Sequence, residues 1–457
     1  MIKFFTLAIA VFIFINVQLF AQTNDYSVRE VKGGLYIPWE MVSAPDGNIW
    51  FTQRHGAISR LNPVTGEIKQ LIFEQDVSIN NGEGGMLGLA LHPDFPNTPE
   101  VFCSYNYLLN GNDYREKLVV YEYNPVTDVL TFQRLIKDGI EANVIHNGSR
   151  LLISNNKLYM TTGDANDLSF PQNTSSLNGK ILRYNLDGTI PSDNPIPGSA
   201  VWSFGHRNPQ GLAIMGTKLV SSEHGPSTDD EINIIEAGRN YGWPNVEGYC
   251  NLPAEITFCN TNNVYEPAKS WTPTIAVCGI DFYTHPLFPQ WQNKLLLASL
   301  KSQALYVLTF NTNQDTVISQ VDIPEINFGR IRDVLAAPNG KIYVSTSNSN
   351  SVNNKIDKIY EIYDPTPNSL NINEAISLEN NWMASPVPTN NNITIQNKSN
   401  NGTAEIDLVD ISGKLIKQLH FKGKEMQIDI TDLVAGFYYL KIKENGSVSQ
   451  VLKIQKR

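Results

Sequence analysis

Cysteine is scarce: four residues in 457, none in a C-x-x-C pair or a Cys/His cluster, which removes the zinc ribbons and fingers. Positive charge is short as well. The 35 Lys and Arg against 45 Asp and Glu leave a net charge of -10, which excludes a nucleic-acid partner, since phosphate binding needs a basic face. After residue 21 no apolar run approaches the roughly 20 residues of a spanning helix. Helical periodicity is rare, and no serine or cysteine sits in a recognisable nucleophile elbow, which argues against covalent acyl chemistry.

What is present begins with "MIKFFTLAIAVFIFINVQLFA", one lysine followed by a long apolar stretch ending in alanine, the build of a secretory signal peptide over residues 1–21. An exported protein accommodates disulfides, and Cys250 and Cys259 flank a short loop that one could close. Cys103 and Cys278 lie in apolar, strand-like segments and read as buried thiols.

Short β-branched and aromatic runs ending at Gly, Asn, Asp or Pro recur along most of the chain. Segments of one kind start at Ile49, Val101, Leu158, Leu219, Leu295 and Ile342, separated by 52, 57, 61, 76 and 47 residues. Three or four strands per period of this size predict an all-β fold, a six-bladed β-propeller over residues 22–364. A pair of β-sandwiches is the competing arrangement, but it does not require a steady period.

Propeller topology predicts which loops share a face. Loops ahead of each blade's first strand and after its second strand lie together at one mouth of the central channel. That places Trp39, Glu40, Glu83 of "NGEGG", His146 of "VIHNG", the "GHRNPQ" run, "WTPTIAVCG", and Arg330 and Arg332 of "GRIRD" beside Gln53, Arg54, His55, Asp164, "EHGP" and Lys301. His146 is a candidate base. Arg207, Lys301, Arg330 and Arg332 are fixed cations, and cations gathered at a channel mouth call for a polyanionic ligand. Asp229, Asp230 and Glu231, with the Gly225-Pro226 turn, offer hard oxygen donors of the kind calcium takes, though a solvated acidic loop would have the same composition.

Six stretches, "GEGGMLGLALHPDF", "IHNGSRLLI", "FGHRNPQGLA", "SEHGPSTDDEINIIEAGRNYGWPNVEGY", "SLKSQALYVL" and "GRIRDVLAAPNGKIYVST", run in order through residues 28–363. Together they resemble the soluble quinoprotein sugar dehydrogenases, the glucose/sorbosone and aldose sugar dehydrogenases. The resemblance implies pyrroloquinoline quinone (PQQ), a tricarboxylate, in the channel mouth with calcium beside it, and oxidation of an aldose at C1 to the lactone. It implies His146 as catalytic base, and Arg332 as a catalytic group stabilising developing negative charge. Glu83, Arg207, Asn208, Gln210, Trp271, Lys301, Arg330 and Arg332 fall at the cofactor. Gly225 and Pro226 match carbonyl ligands of a calcium that bridges to PQQ, and Asp230, Glu231 and Tyr241 resemble ligands of a second, structural calcium. Two departures stand out. Glu83 replaces a glutamine found in glucose-oxidising members, which would set a carboxylate near the base and could raise the histidine pKa. Val277 and Cys278 depart from an "APSG"-like run after Trp271. Partners implied are a small-molecule sugar and an electron acceptor that the sequence does not identify. A calcium-dependent propeller lactonase would not need the arginine cluster. A non-catalytic carbohydrate-binding propeller would not need His146.

After Tyr363 an Asn/Pro/Ser-rich stretch reads as a linker over 365–382. The remaining residues, 383–457, carry a compact β pattern that predicts a small C-terminal β-sandwich. "DISGKLI", "LVAGFYYLKI" and "VLKIQKR" resemble the C-terminal sorting domain of type IX secretion, which implies export across the outer membrane to the surface or medium. A sugar-binding module is the alternative, and the surface row of aromatics that it would use is missing.

Overall fold

The computed structural model describes residues 26–365 except 80, 81 and 112, and residues 382–456 except 386, 388, 390, 398–401, 411–413, 445 and 446. The predicted leader, and the predicted linker from 366 to 381, lie outside the described residues. The chain forms two compact units, one ending at Pro365 and one starting at Thr366.

In the first unit β-branched and aromatic runs broken by Gly, Asn and Pro turns fold into six four-stranded antiparallel sheets. Their innermost strands are Pro38–Ser43, Met86–Leu91, Gly148–Ser154, Pro209–Met215, Val277–Tyr283 and Ile331–Ala336. Each contacts the innermost strand of the next blade, and the sixth contacts the first, so the sheets close into a ring around a channel. The segments singled out from the sequence form the second strands, Ile49–Gln53, Glu100–Leu108, Lys157–Thr162, Lys218–Glu223, Lys294–Ser299 and Ile342–Thr346.

The apolar faces of neighbouring blades meet in separate cores. One joins Met41, Phe51 and Leu61 to Leu335, Tyr343 and Ile359 across the sixth and first blades. Another joins Tyr283, Leu296 and Leu305 to Ile331, Val334 and Ile342 across the fifth and sixth. Each such side chain stabilises the ring by roughly 1.5 to 3 kcal/mol relative to exposure. The last blade is completed from the other end of the sequence. Ser27–Leu35 pairs antiparallel with Asp357–Tyr363 as the outermost strand, with Ser27 opposite Tyr363.

All six innermost strands carry a register shift near their start, between Pro38 and Met41, Met86 and Leu89, Gly148 and Leu151, Pro209 and Gly211, Val277 and Ile280, and Ile331 and Asp333. A bulge adds a residue on one side of a ladder and re-aims side chains. Glu40, Arg150, Gln210, Cys278 and Arg332 all lie within these shifts. Glycine is required beside two of them: a Cβ on Gly88 would lie 2.1 Å from the Ser149 carbonyl oxygen, and one on Gly211 2.5 Å from that of Cys278.

Cys250 and Cys259 form the disulfide allowed by their spacing, tying the start of an excursion in the fourth blade to the helix Pro253–Asn262. Cys103 and Cys278 are buried thiols. Among the described residues no helix is long and apolar enough to cross a membrane. The second unit has a three-stranded and a four-stranded sheet sharing one core, with Trp382, Ile393, Ile395 and Ile428 from the first facing Ile406, Leu408, Phe421 and Leu440 from the second.

Candidate active site

His146 stands two residues before the bulge of the third innermost strand, with φ of +61°, the left-handed region that few non-glycine residues adopt. Three contacts hold it there. Its amide donates to Glu83 Oε2 at 2.9 Å, its carbonyl accepts from Ala165 N at 3.1 Å, and its ring Nδ1 lies 2.8 Å from Asp164 Oδ1. Asp164 is fully buried and also accepts from Trp243 Nε1 at 2.9 Å and from Asn166 N at 2.7 Å. With Asp164 on Nδ1, the imidazole keeps its Nε2 free of protein partners among the described residues, so a neutral ring presents a lone pair there.

Glu83 stands beside the base, as its place in "NGEGG" predicted. Its carboxylate is hydrogen-bonded to the His146 backbone amide, and its second contact is Asn208 Nδ2 at 3.5 Å. Burial alone would raise its pKa, but the His224 ring, the His146 amide and ring, and Arg332 outweigh that and hold it below the usual carboxylate value.

The "FGHRNPQGLA" turn is built around its buried histidine. His206 is fully buried, bridges Glu223 and Ser203 at 2.8 Å each, and stacks on Tyr241 at 4.6 Å between ring centroids. That anchor sets the next four residues. Arg207 donates to the Gly225 carbonyl at 2.9 Å and lies over the Trp243 ring at 5.3 Å. Asn208 accepts from Gly148 N and from Gln210 Nε2, and Gln210 Oε1 accepts from Arg332 Nη1 at 3.1 Å. The same Arg332 nitrogen reaches Cys278 Sγ at 3.1 Å. Arg330 and Lys301 are exposed at the rim, the latter bonded to Thr274.

Below this lies a floor across the channel. Arg150 pairs with Asp333 at 3.0 Å and Glu40 at 3.4 Å, donates to the Gln210 carbonyl, and lies 4.2 Å from the Trp39 ring centroid. Burial pushes the Glu40 carboxyl up to about 8, against the pull of Arg150. Beyond the floor the channel reopens as a cavity of about 380 Å³ on the opposite face.

Buried polar atoms without partners show what the mouth is made to take. Arg207 Nε, Arg332 Nε and His224 Nε2 are sealed from solvent and hydrogen-bonded to nothing. Two guanidinium edges left open in this way fit carboxylate oxygens of a ligand, because an unsatisfied buried donor costs about 1 to 3 kcal/mol until an acceptor arrives.

The expected metal residues divide. Gly225, Pro226, Glu231 and Tyr241 line one small cavity of about 10 Å³ together with Glu223, Asp229 and Glu247. Asp230 points elsewhere: its Oδ1 accepts from Gly225 N, and its Oδ2 from Ile275, Ala276 and Val277 N, so it clasps two loops. The Tyr241 hydroxyl is bonded to Ile234 O and Glu236 N, leaving only its ring and backbone toward the cavity. No group of three acidic, His or Cys side chains among the described residues has metal-ligating geometry, so a cation here would rest largely on carbonyl oxygens.

Trp271 is also relocated. It belongs to the outermost strand of the fourth blade, packs in the core between blades four and five, and donates to Gln320 of the fifth blade's outer strand. The tryptophan that reaches the mouth is Trp243, carried there by the excursion after Ile235. Asp164, and His224 of "EHGP", lie at the mouth where the loop topology put them. Trp243 and Arg150 are members of the site that sequence patterning left unassigned, because their contacts cross between blades.

The chain belongs to the glucose/sorbosone dehydrogenase family, whose model matches residues 35–354, and carries a secretion system C-terminal sorting domain over residues 384–457. It is 30% identical to quinoprotein glucose dehydrogenase B of Acinetobacter calcoaceticus over 73% of this chain and 87% of that one. Against aldose sugar dehydrogenase YliI of Escherichia coli the identity is 32%, covering 72% of this chain and 92% of the relative. The PQQ-bound aldose sugar dehydrogenase of Streptomyces coelicolor superposes with a TM-score of 0.64 at 31% identity, covering 74% of this chain and 98% of that chain.

Proposed function

We propose that the protein oxidises an aldose at C1 to the lactone with PQQ held at the channel mouth, and that it does so after export through its sorting domain. The observation that carries this reading is the His146–Asp164 pair, 2.8 Å apart and buried, with the imidazole Nε2 left open beside unpaired arginine donors. Arg207, Asn208, Gln210 and Arg332 would hold the cofactor's carboxylates, with Lys301 and Arg330 at the rim. Bound there, the quinone supplies a two-electron hydride acceptor.

His146 Nε2 takes the proton of the anomeric hydroxyl as hydride leaves C1, and Asp164 stabilises the imidazolium that forms. Glu83 and Ala165 fix the His146 backbone, so the base does not have to find its position in each turnover. Arg332, held at Nη1 by Gln210 and Cys278, directs its remaining N–H groups at developing negative charge. Calcium, if bound, would take hard oxygen donors from the residues lining the small cavity, Gly225, Pro226, Glu223 and Glu231, and would supply Lewis-acid polarisation.

The test is reconstitution: purified apoprotein with PQQ and calcium, followed by dye reduction across a panel of aldoses. Saturable PQQ binding with aldose-dependent reduction is expected. Binding without reduction of any aldose would favour the carbohydrate-binding alternative, and absence of PQQ binding would overturn the reading.

A further inference from the structure

Lys180 has a fully buried side chain in the third strand of the third blade, Lys180–Asn185. It forms no ion pair among the described residues. Its Nζ donates instead to three backbone carbonyls, Phe170 at 2.9 Å, Pro171 at 3.0 Å and Asn178 at 2.6 Å. All three belong to the long loop between the second and third strands, residues 163–179, which is pinched at its neck where Gly179 N donates to Gly163 O at 2.8 Å.

That loop carries the partner of the base. Asp164 is its second residue, and its amide donates to the Arg207 carbonyl at 2.8 Å. The Pro171 carbonyl that accepts from Lys180 also accepts from Gly205 N, at the start of the turn presenting Arg207 and Asn208. Gln172 binds Asn240 Oδ1 and the Trp243 carbonyl, and Trp243 donates to Asp164. One ammonium group therefore ties together the backbone that orients Asp164, the turn that offers the arginine, and the tryptophan between them.

We propose that Lys180 is a positioning residue for the His146–Asp164 pair, its ammonium serving as the internal hub of the 163–179 loop. The proposal rests on the dehydrogenase reading above for its catalytic consequence. Its geometric part stands apart from that reading. Three carbonyl acceptors require three N–H donors, which the ammonium has and the neutral amine lacks. Burial lowers the Lys180 pKa to about 7, with no charged neighbour opposing or assisting. The titratable groups on the elements around it are otherwise engaged: Asp164 with His146 and Trp243, Asp167 with Ser169, and His206 with Glu223 and Ser203. Deprotonation turns one carbonyl contact into a lone-pair repulsion, so the loop loosens as pH rises through the lysine's ionisation.

The experiment compares wild type with Lys180→Gln, reading kcat, KM, PQQ affinity and the far-downfield imidazole N–H resonance of His146 in its bond to Asp164. Expected for Lys180→Gln are a kcat reduced about 10- to 100-fold, the scale of an ångström's misplacement, KM and PQQ affinity within about threefold, and a broadened or lost resonance. In wild type the same resonance should disappear as pH rises above neutrality. A folded Lys180→Gln protein with unchanged kcat and resonance would overturn the proposal. If that variant fails to fold, the wild-type titration decides, and a resonance that persists to about pH 10 would overturn it equally. The dehydrogenase reading fails separately, if the wild-type protein binds no PQQ and reduces dye with no aldose, while the resonance still reports on Lys180.

Discussion

Replacing Asp164 with asparagine probes the candidate base with little change of volume. In the native arrangement one carboxylate accepts three donors, with His146 Nδ1 and Asn166 N on Oδ1 and Trp243 Nε1 on Oδ2. Asparagine has a single acceptor. If its oxygen faces His146, its NH₂ confronts the Trp243 N–H; if its oxygen faces Trp243, its NH₂ donates to Nδ1 and forces the proton onto Nε2. The second orientation satisfies all donors but one and yields the tautomer that cannot take a proton from substrate. Loss of general-base catalysis lowers kcat by about 100- to 10,000-fold, or about 3 to 5 kcal/mol of barrier at 1.36 kcal/mol per tenfold. Steady-state dye reduction with saturating PQQ, calcium and aldose measures it, and a PQQ titration serves as control, since Asp164 touches none of the cofactor arginines through its side chain. A kcat within threefold of wild type, with PQQ affinity preserved, would refute the assignment of His146 as base.

Arg332→Ala removes a 93%-buried guanidinium and should weaken PQQ binding about 10- to 100-fold in a fluorescence titration, whereas the exposed Lys301→Ala should weaken it by less than about tenfold. Truncation after Pro365 should leave a folded propeller with unchanged reconstituted activity and no export, measured by dye assay and by fractionation of expressing cells. Glu116 is buried, its carboxyl pushed up to about 8 by desolvation, and its Oε2 has no partner. Because its folded pKa lies above the unfolded value of about 4.5, its favourable contribution is complete below that value and is lost as pH rises toward 8. Melting temperature should therefore fall between pH 5 and 8 in wild type and fall less in Glu116→Gln, and equal slopes would refute the linkage.

Much of the ring was legible because each blade repeats a local strand pattern with its own turns. His146, Arg207, Asn208, Gln210 and Arg332 converge as expected because topology alone assigns their loops to one face. The closing strand was not legible: Ser27–Leu35 pairs with residues more than 300 positions away, and no local pattern marks the partner. Trp271 and Asp230 misled for a different reason. Each was assigned by resemblance, but the direction of a side chain depends on strand position and on what packs against it. Trp271 lies on the outermost strand, and Asp230 faces the amides of 275–277. Nothing in the sequence around Lys180 marked it, because its carbonyl partners are brought to it by the path of the 163–179 loop.

The pairing of Ser27 with Tyr363 has a mechanical consequence. Both residues lie at the same end of one antiparallel ladder, so tension applied between the leading segment and the tail pulls that ladder apart from its tip, one pair of hydrogen bonds after another. Unzipping of this kind loads the bonds in series, whereas shear would load them in parallel. The ring should thus resist heat as a cooperative unit yet open at lower force along this seam than a sheared ladder would, and a threading machine that grips the tail meets this ladder first.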